Sequence, residues 1–445
     1  MSCDSALVLG CGESGSAAAE LLLRENRNVT IIDGGSEPAL SERASRLASM
    51  GARVMTGATD LPDGEFDLCV VSPGIRSDNA WLKKARGRTG KVISELELGW
   101  SRCRSRTLAV TGSNGKSTVV KFCRDALRAA GDDAVMCGNC GPAISRICLE
   151  DRDPQWLVIE VSSFQLETVV DFRPDIGVLL NILPNHLDRH GGMADYTRIK
   201  MRLFGAMDRG NIGLLPADPA ELRGMAGSQG IEWLTFGRGK GADYVFNDGE
   251  VSWDGEGGKV SLRNTVFDNA VLGVNAAAAI GALCAAGVQP ATIASAASSF
   301  EPLEHRMSDI GMVGGVRFID DSKATNIAAL CAAVRTASGQ VRLIAGGMLK
   351  EKDATSAKEV LATKALKVYL IGRDAEALKR QWDGSVPCKI CVDLRNATES
   401  AWREGGQGET VLLSPGCASF DQFRNFEDRG VSFRNIVNSL RSNQQ

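Results

Sequence analysis

A glycine-rich turn between a buried strand and a helix constrains this chain more than any other feature. The turn has the sequence Thr111-Gly-Ser-Asn-Gly-Lys-Ser-Thr118. Residues 107–110 have the composition of a short buried strand, and residues 117–130 have the pattern of a helix. Such a turn directs backbone N–H groups and the positive end of the helix dipole at an anion. The segment is therefore predicted to bind phosphate, with Lys116 reaching the terminal phosphate groups.

The loop departs from the standard nucleoside-triphosphate loop at one position. The standard loop has a glycine where Val110 stands, so this chain carries the shortened form Gly-x-x-Gly-Lys-Ser. An accidental Gly-Lys-Ser turn is the alternative, and the flanking strand and helix argue against it. Ser117 or Thr118 is expected to hold Mg²⁺ through its hydroxyl group.

Composition and charge narrow the class of protein. The chain has 445 residues, of which 44% are apolar and 24% charged, and the length predicts three globular domains. A formal net charge of −3 gives no reason to expect nucleic acid or an anionic membrane as a partner. No apolar run approaches the roughly 18 residues of a membrane span, and no secretory signal is visible. We therefore expect a cytoplasmic protein, with its 13 cysteines as reduced thiols.

Two Cys-x-x-Cys pairs raise the question of a zinc site. They are Cys137 with Cys140 and Cys388 with Cys391. A zinc site needs both pairs close together, and their wide separation in a cysteine-rich chain favours coincidence.

Strand and helix patterns alternate along the whole chain, which predicts the α/β class. The predicted domains are residues 1–97, 98–302 and 303–445, with the phosphate loop in the central one. The first domain has the turn Gly10-Cys-Gly-Glu-Ser-Gly15 between a strand and a helix, and Asp33 at the end of the next strand. This pattern is similar to an NAD fingerprint, although a uridine nucleotide needs the same phosphate-binding turn.

Two polar residues are predicted at the ends of strands beside the phosphate loop. Glu160 lies near the end of the apolar run 157–161, where a carboxylate could hold Mg²⁺ or could project into solvent past the sheet. His186 follows the predicted strand 177–182 and could join the same rim or cap the next turn.

Lys200 has an unusual position in the predicted helix 194–208. It falls in the middle of the apolar arc formed by Tyr196, Ile199, Leu203, Phe204 and Met207. A lysine in such an arc extends its amine to solvent, pairs with an acid, or is chemically altered. Extension to solvent is the commonest of these outcomes. A buried neutral amine could instead add CO₂ and become an anionic carbamate, which is an oxygen ligand suited to Mg²⁺.

The last third of the chain has further candidates. Arg306 has a guanidinium group that matches the oxygens of a phosphate. Asp320 and Asp321 end a predicted strand and precede a helix, where they could serve an anion site or merely cap the helix.

Four segments in combination resemble the Mur ligase family of peptidoglycan synthesis. They are the phosphate loop, Glu160-Val-Ser-Ser-Phe-Gln165, Asn185-His-Leu-Asp188 and Asp321-Ser-Lys-Ala-Thr-Asn326. A fifth segment, Ser414-Pro-Gly-Cys-Ala-Ser-Phe-Asp-Gln-Phe423 with Asn425-Phe-Glu427, resembles the members that add D-glutamate. The Asp-Asn-Pro-Arg signature of the members that add a diamino acid is absent. The resemblance spans essentially the whole chain.

The resemblance implies an ATP-dependent, amide-forming ligase with UDP-N-acetylmuramoyl-L-alanine and D-glutamate as substrates. ATP phosphorylates the terminal carboxylate of the UDP-linked substrate, and the amine of D-glutamate attacks the acyl phosphate. ATP and Mg²⁺ are the implied cofactors, and a monomer is expected. The implied fold has an N-terminal Rossmann-like UDP-binding domain, a central P-loop ATPase-type domain with a mostly parallel sheet, and a C-terminal Rossmann-like domain.

The resemblance also assigns roles to individual residues. Catalytic roles fall to Lys116, His186 and carbamylated Lys200, and metal ligation falls to Ser117, Glu160, His186 and Lys200. The residues expected to bind ATP are Gly112, Ser113, Asn114, Gly115, Lys116, Ser117, Thr118, Asn275, Arg306, Asp321 and Lys323. The residues expected to bind the substrates are Gly12, Asp33, Ser72, Pro73, Gly74, Asn139, Ser162, Thr325, Lys350, Ser419 and Phe426.

The chain departs from the family pattern at several positions. Leu272-Gly-Val-Asn275 keeps the asparagine expected beside the adenine and lacks the histidine that usually precedes it. Lys352 is a second candidate for the role of Lys350.

Three other functions remain to be distinguished. A ligase similar to folylpolyglutamate synthetase shares the shortened loop. A P-loop kinase or ATPase, or an NAD-dependent dehydrogenase built on the first turn, would leave the other domains without an assigned role.

Overall fold

The structure of the chain, a computed structural model, describes residues 4–35, 38–150, 152–225, 230–239, 241–254, 258–349 and 353–442. The chain forms two compact units. One comprises Met1–Ile182 and Ala194–Phe300, and the other comprises Leu183–Met193 and Glu301–Gln445. Each of the three sheets in the described residues is mostly or entirely parallel with helices against it, which confirms the predicted α/β class. The domain limits 1–97, 98–302 and 303–445 stay predictions.

The first sheet has five parallel strands in the order β3-β2-β1-β4-β5. Its strands are β1 (Ser5–Leu9), β2 (Asn28–Ile32), β3 (Arg53–Met55), β4 (Phe66–Val71) and β5 (Thr89–Ser94). The accompanying helices are α1 (Glu13–Arg24), α2 (Pro38–Ser49), α3 (Ala80–Arg86) and α4 (Glu95–Trp100). This Rossmann-type order reverses direction between β1 and β4, so a ligand crevice is expected beyond the carboxyl ends of these two strands.

The second sheet has nine strands in the order β14-β13-β12-β11-β10-β9-β6-β8-β7. Its strands are β6 (Arg106–Thr111), β7 (Ala134–Gly138), β8 (Trp156–Glu160), β9 (Ile176–Leu179), β10 (Ile212–Pro216), β11 (Glu232–Gly237), β12 (Tyr244–Asn247), β13 (Glu250–Ser252) and β14 (Lys259–Ser261). The pairs β12–β13 and β13–β14 are antiparallel, and the remaining pairs are parallel.

The helices that accompany the central part of the chain vary widely in length. They are α5 (Lys116–Ala129), α6 (Ile144–Leu149), α7 (Ser163–Leu166), α8 (Leu187–His190), α9 (Met193–Met201), α10 (Glu221–Met225), α11 (Ala270–Ala285) and α12 (Pro290–Ser298). The alanine-rich α11 shares one buried core with α5 and the sheet, because its small side chains permit close approach. The predicted helix 194–208 is wrong in length. It ends at Met201, where the short 3₁₀ turn Arg202–Phe204 and then Gly205 take over.

The third sheet belongs to the second unit and has the strand order β15-β16-β20-β17-β18-β19. Its strands are β15 (Ser308–Val313), β16 (Val316–Asp320), β17 (Val341–Gly346), β18 (Ala365–Ile371), β19 (Cys388–Ile390) and β20 (Thr410–Leu413). Its helices are α13 (Ile327–Thr336), α14 (Lys358–Lys364), α15 (Ala375–Trp382), α16 (Leu394–Arg403) and α17 (Phe426–Ser442), with a 3₁₀ turn at Thr355–Ala357.

The register of this sheet sets two loops side by side. Asp320 at the end of β16 pairs with Leu413 at the end of the parallel strand β20. The segments that follow the two strands, which carry Asp321 and Ser414, therefore leave the same edge of the sheet together.

Among the described residues, no helix has the length and apolar character needed to cross a membrane.

Candidate active site

The phosphate loop follows β6, which lies between β9 and β8 in the second sheet, and enters α5, as the sequence predicts. Gly112 and Gly115 have φ angles of 151° and 87°, a backbone region that other residues rarely adopt. A Cβ atom on Gly115 would lie 2.5 Å from Nδ2 of Asn275. The glycine thus lets α11 bring the Asn275 side chain against the loop. Contact of Asn275 with adenine stays a prediction.

Asn181, which sequence reasoning did not select, fastens the loop to the strand beside it. Its Oδ1 accepts from the Asn114 N–H at 3.0 Å, and its Nδ2 donates to the Asn114 carbonyl at 3.0 Å. The Ser113 N–H also donates to the Asn181 carbonyl at 3.0 Å. The sequence pattern that could have indicated this role is a polar residue shortly after β9, the strand that pairs with β6.

Two side chains at the start of α5 face the loop and the neighbouring strand. The Lys116 ammonium donates to the carbonyls of Gly112 at 2.8 Å and Ser113 at 3.0 Å. The Ser117 hydroxyl is fully buried and donates to the Glu160 carboxylate. Thr118 is buried in the same turn. The Lys116 ammonium is therefore held against the loop, and the Ser117 hydroxyl at the start of α5 is paired with the Glu160 carboxylate.

Glu160 is buried at the end of β8, so the interpretation as a carboxylate exposed beyond the sheet is wrong. Its second oxygen accepts from Nδ2 of Asn139 at 2.7 Å. The register aligns Gly138 of β7 with Glu160 of β8, which places Asn139 at the same rim. Ser117, Asn139 and Glu160 thus form one polar cluster, and their roles toward metal and substrate stay predictions.

Lys200 is 1% exposed, so the expectation that its amine extends to solvent is wrong. Its Nζ donates to the Gly112 carbonyl at 2.9 Å and lies 3.4 Å from Oγ1 of Thr111. Burial lowers the pKa of Lys200 well below its usual value, and the charge of Lys116 lowers it further, whereas Glu160 opposes both. This environment favours a neutral, nucleophilic amine at the phosphate loop.

Tyr196 completes the surroundings of Lys200. Its ring centroid lies 4.8 Å from the Lys200 amine, and its hydroxyl lies 3.1 Å from Oγ of Ser113. Burial raises the pKa of Tyr196 to about 12, so its hydroxyl stays protonated near neutral pH. Tyr196 was predicted only as a member of an apolar arc, and its hydroxyl adds a bond to the phosphate loop.

The segment Leu183–Met193 belongs to the second compact unit and contains His186. His186 precedes α8 with a φ of 56°, and its side chain makes no capping hydrogen bond to that helix. The interpretation of His186 as a side-chain cap is therefore wrong, and its catalytic and metal-binding roles stay predictions. Within the described ranges, no three His, Cys, Asp or Glu side chains converge as a metal cluster.

Ser162 follows Glu160 and starts α7 with a reciprocal cap. The Gln165 N–H donates to Oγ of Ser162 at 3.3 Å, and the Ser162 N–H donates to Oε1 of Gln165 at 2.9 Å. This local role of Ser162 places the segment rigidly beside Glu160, and its contact with substrate stays a prediction.

The turn after β1 is a compact structure with Asp33 and Ser72. The Asp33 carboxylate accepts from the N–H groups of Cys11 at 2.7 Å and Gly35 at 2.8 Å. The Ser72 hydroxyl donates to the Gly10 carbonyl at 3.1 Å. A Cβ on Gly15 would lie 1.8 Å from the Gly10 oxygen, so this position requires glycine. The structure thus brings together the predicted residues Gly12, Asp33, Ser72, Pro73 and Gly74 at the end of the first sheet.

In the second unit, Asp320 and Asp321 are buried and have separate partners. Asp320 Oδ2 lies 2.6 Å from Nδ1 of His305. Asp321 Oδ2 accepts from the Ser414 hydroxyl at 2.9 Å. Neither residue caps α13, whose cap is Asn326, so the capping interpretation is wrong.

Burial raises the pKa of Asp321 to about 7, although the Ser414 hydroxyl and the charge of Arg306 lower it. The charge of Arg306 thus acts on Asp321, and the ATP-binding role of both residues stays a prediction.

Two of the remaining predicted residues of the second unit, Lys323 and Phe426, lie together at the start of α17. The Lys323 ammonium lies 5.3 Å from the Phe426 ring centroid, and the Ser322 hydroxyl donates to the Phe426 carbonyl at 2.8 Å. Ser419 is buried, and Thr325 lies in the loop that begins at Asp321. Lys350 and its alternative Lys352 lie outside the described residues.

The raised pKa of Asp321 gives a pH-dependent contribution to stability. The folded state holds the Asp321 proton up to about pH 7, whereas the unfolded chain releases it near the ordinary aspartate pKa of 3.8. Between these values the folded state binds more protons, so its unfolding free energy falls as pH rises. We expect a loss of about 3 kcal/mol between about pH 5 and pH 8 that Asp321→Asn abolishes.

Hydrogen exchange of β16 and β20 at the two pH values measures this loss. Asp309→Asn is the control. A hydrogen bond from Arg317 lowers the pKa of Asp309, so Asp309 stays ionised between about pH 5 and pH 8 and this variant should keep the pH dependence of the unmodified chain. An equal pH dependence in Asp321→Asn and the unmodified chain would contradict the assignment.

The shortened phosphate loop, the buried Glu160–Ser117 pair and the buried Lys200 amine, on a mostly parallel sheet, define an ATP-dependent ligase of the P-loop class. The Mur ligase middle domain matches residues 110–285, and the Mur ligase, glutamate ligase domain, matches residues 305–417. The chain belongs to the Mur ligase family, whose members are ATP-dependent enzymes that form amide bonds.

Three known proteins illustrate the similarity. The chain is 36% identical over 439 residues to the UDP-N-acetylmuramoylalanine–D-glutamate ligase of Acidobacterium capsulatum, which covers 97% of this chain and 95% of the relative. It is 33% identical over 444 residues to the enzyme of that name from Geobacillus kaustophilus, covering 98% and 97% of the two chains. The MurF ligase of Thermotoga maritima, solved in complex with ADP, has the same fold, with a TM-score of 0.62, 15% identity and coverage of 94% and 96%.

Proposed function

We propose that this protein uses ATP to join D-glutamate to UDP-N-acetylmuramoyl-L-alanine in the cytoplasm, as a monomer, during peptidoglycan synthesis. The observation that carries this proposal is the similarity, over nearly the whole chain, to relatives named for that reaction. The geometry supports it, because the Lys116 ammonium, the buried Glu160 carboxylate and the buried Lys200 amine all lie at one phosphate loop.

The reaction must first activate a carboxylate. A carboxylate is a poor electrophile until its oxygen is phosphorylated, and phosphoryl transfer depends on positioning and on stabilising the charge of the phosphoryl oxygens. The loop N–H groups and Lys116 would hold the phosphates of ATP. The glutamate amine then attacks the acyl carbon, the bond to the phosphate oxygen breaks, and phosphate leaves with that electron pair as the amide forms.

The residues around the loop fit Mg²⁺. The Glu160 carboxylate and the Ser117 hydroxyl are adjacent oxygen donors, which Mg²⁺ prefers. Bound there, Mg²⁺ would neutralise charge on the phosphate oxygens. We propose His186 and Lys200 as further ligands.

Lys200 is suited to become a carbamate. Its neutral amine would attack CO₂ to form an N–C bond, and one proton would leave to water. The buried neutral amine would thereby become an anionic oxygen ligand beside Lys116. The low pKa of Lys200 supports this step, because only the neutral amine reacts.

We propose the remaining roles as the resemblance to the family assigns them. We propose that the turn at Gly12, Asp33 and Ser72-Pro-Gly-Ile75 binds the UDP group, and that Asn139 and Ser162 bind the sugar-linked substrate. Asn275, Arg306, Asp321 and Lys323 are proposed to bind ATP, and Thr325, Lys350, Ser419 and Phe426 to bind D-glutamate.

One assay tests the proposal. The purified chain is supplied with ATP, Mg²⁺ and UDP-N-acetylmuramoyl-L-alanine, and phosphate release is measured with a panel of D- and L-amino acids. We expect release with D-glutamate alone, with one ADP formed per amide. Release without an amino acid would favour a kinase or ATPase. Turnover with L-glutamate and a folate acceptor would favour a folylpolyglutamate synthetase, and hydride transfer to or from NAD a dehydrogenase.

A further inference from the structure

Arg429 is a fully buried arginine on the first turn of α17, and no role was predicted for it from the sequence. Its Nε donates to Oγ of Ser322 at 3.0 Å. Its Nη2 donates to the carbonyls of Ser322 at 2.8 Å and Cys417 at 3.1 Å. Its Nη1 is buried and has no hydrogen-bond partner in the part of the chain that the structure describes.

The positive charge of Arg429 has no carboxylate bonded to it among the described residues. Its acceptors are two carbonyls and a hydroxyl, all of them neutral. Asp320, Asp321 and Asp421 act on it only through space, and burial lowers the pKa of Arg429 to about 10, so it stays charged near neutral pH. A buried cation without a bonded anion is costly, and an apolar side chain of similar volume is often more stable.

The contacts of Arg429 join the three segments that carry the proposed amino-acid subsite. Ser322 lies between Asp321 and Lys323, and Cys417 lies shortly before Ser419 in the loop after β20. The Ser322 hydroxyl that accepts from Arg429 donates in turn to the Phe426 carbonyl at 2.8 Å. Each of these segments is therefore held by the same guanidinium group.

We propose that Arg429 is a positioning residue that makes the amino-acid subsite selective for a substrate with two carboxylates. Its hydrogen bonds hold the loops that contain Ser419 and Thr325. Its positive charge, to which no carboxylate is hydrogen-bonded among the described residues, favours an anionic side chain over a neutral one. This inference rests on the proposed function, since it assumes that the amino acid binds at these loops.

The test compares Arg429→Met with Arg429→Lys in the full chain. We expect Arg429→Met to raise the KM for D-glutamate about tenfold, equivalent to about 1.4 kcal/mol. The KM for ATP should rise by a smaller factor, because Ser322, which Arg429 holds, lies between the proposed ATP-binding residues Asp321 and Lys323. The preference for D-glutamate over D-glutamine, which has the same shape without the side-chain charge, should fall by a similar factor. Arg429→Lys restores the charge and should recover most of that preference.

Two further variants separate this role from a structural one. Arg434→Met, on the same helix at an exposed pair with Glu304, is the control and should leave both KM values unchanged. Ser322→Ala keeps the buried charge and removes the hydroxyl between Arg429 and Phe426, so it should raise the KM for D-glutamate and leave the preference over D-glutamine intact. Ser322→Ala also tests the positioning role if Arg429→Met does not fold.

The outcomes are distinct. Equal losses for ATP and D-glutamate, or an unchanged preference over D-glutamine in both Arg429 variants, would overturn the inference and leave a purely structural arginine. Failure of the unmodified chain to use D-glutamate would refute the proposed function, and the inference with it.

Discussion

Lys200→Ala is expected to lower turnover by roughly three orders of magnitude while the protein remains folded. Lys200 is the buried amine at the phosphate loop, and its proposed carbamate would supply an anionic oxygen ligand. The fold should survive, because the Gly112 carbonyl that accepts from Lys200 also accepts from Lys116 at 2.8 Å. The loss should therefore appear in turnover rather than in the unfolding transition.

Rescue distinguishes the carbamate from a simple packing role. A small carboxylic acid that enters the space left in Lys200→Ala should restore part of the activity, because it returns a carboxylate to the missing position. Arg198→Ala is the matched control, since Arg198 lies on the same helix with an exposed side chain paired to Asp195. Full activity of Lys200→Ala without added acid would exclude the carbamate role.

The parts of the site that the sequence predicts are those whose pattern lies within a few consecutive residues. The phosphate loop combines an apolar strand, glycines and Lys116 within a few residues, and its observed helix starts at Lys116, one residue before the predicted start. Glu160 was found because a charged residue ends an otherwise apolar strand. In both cases neighbouring residues alone specify the backbone, so the prediction needs no knowledge of distant segments.

Residues whose role depends on distant partners were missed. Asn181 holds Asn114, and Arg429 holds Ser322 and Cys417, across long stretches of chain. An asparagine after a strand or an arginine on an amphipathic helix is common in any sequence, so neither pattern indicates what it will contact. Only the strand order, which brings the ends of β6 and β9 together, makes the Asn181 contact evident.

The burial of Lys200 could not be predicted from the pattern of its own helix. Its place in an apolar arc was visible in the sequence, yet the pattern alone favoured an amine extended to solvent. In the structure the amine does not reach solvent, because Thr111 and Gly112 of the phosphate loop lie against it. The same loop therefore determines both the burial of Lys200 and its proximity to Lys116.

Glu160→Gln is expected to lower turnover by roughly 10²- to 10³-fold and to raise the Mg²⁺ concentration needed for half-maximal activity. Glutamine keeps the shape of the side chain, and its oxygen can accept from the Ser117 hydroxyl. Its NH₂ group takes the place of the oxygen that accepts from Asn139, so the Asn139 amide must turn its own oxygen toward it. The variant therefore removes the negative charge without opening a cavity. That charge also raises the pKa of Lys200, so its removal should lower this pKa further and shift the activity profile to lower pH.

A titration of phosphate release with Mg²⁺ measures the first effect, and the pH profile at saturating Mg²⁺ measures the second. Asp125→Asn is the matched control. Asp125 lies on α5, the helix that follows the phosphate loop, and its carboxylate is 2.8 Å from the Lys121 ammonium on the same helix. If Glu160→Gln and Asp125→Asn both keep the original Mg²⁺ dependence, Glu160 is not a ligand of the metal. If Mg²⁺ dependence changes and the pH profile does not, Glu160 binds the metal, and the charge coupling between Glu160 and Lys200 does not control activity.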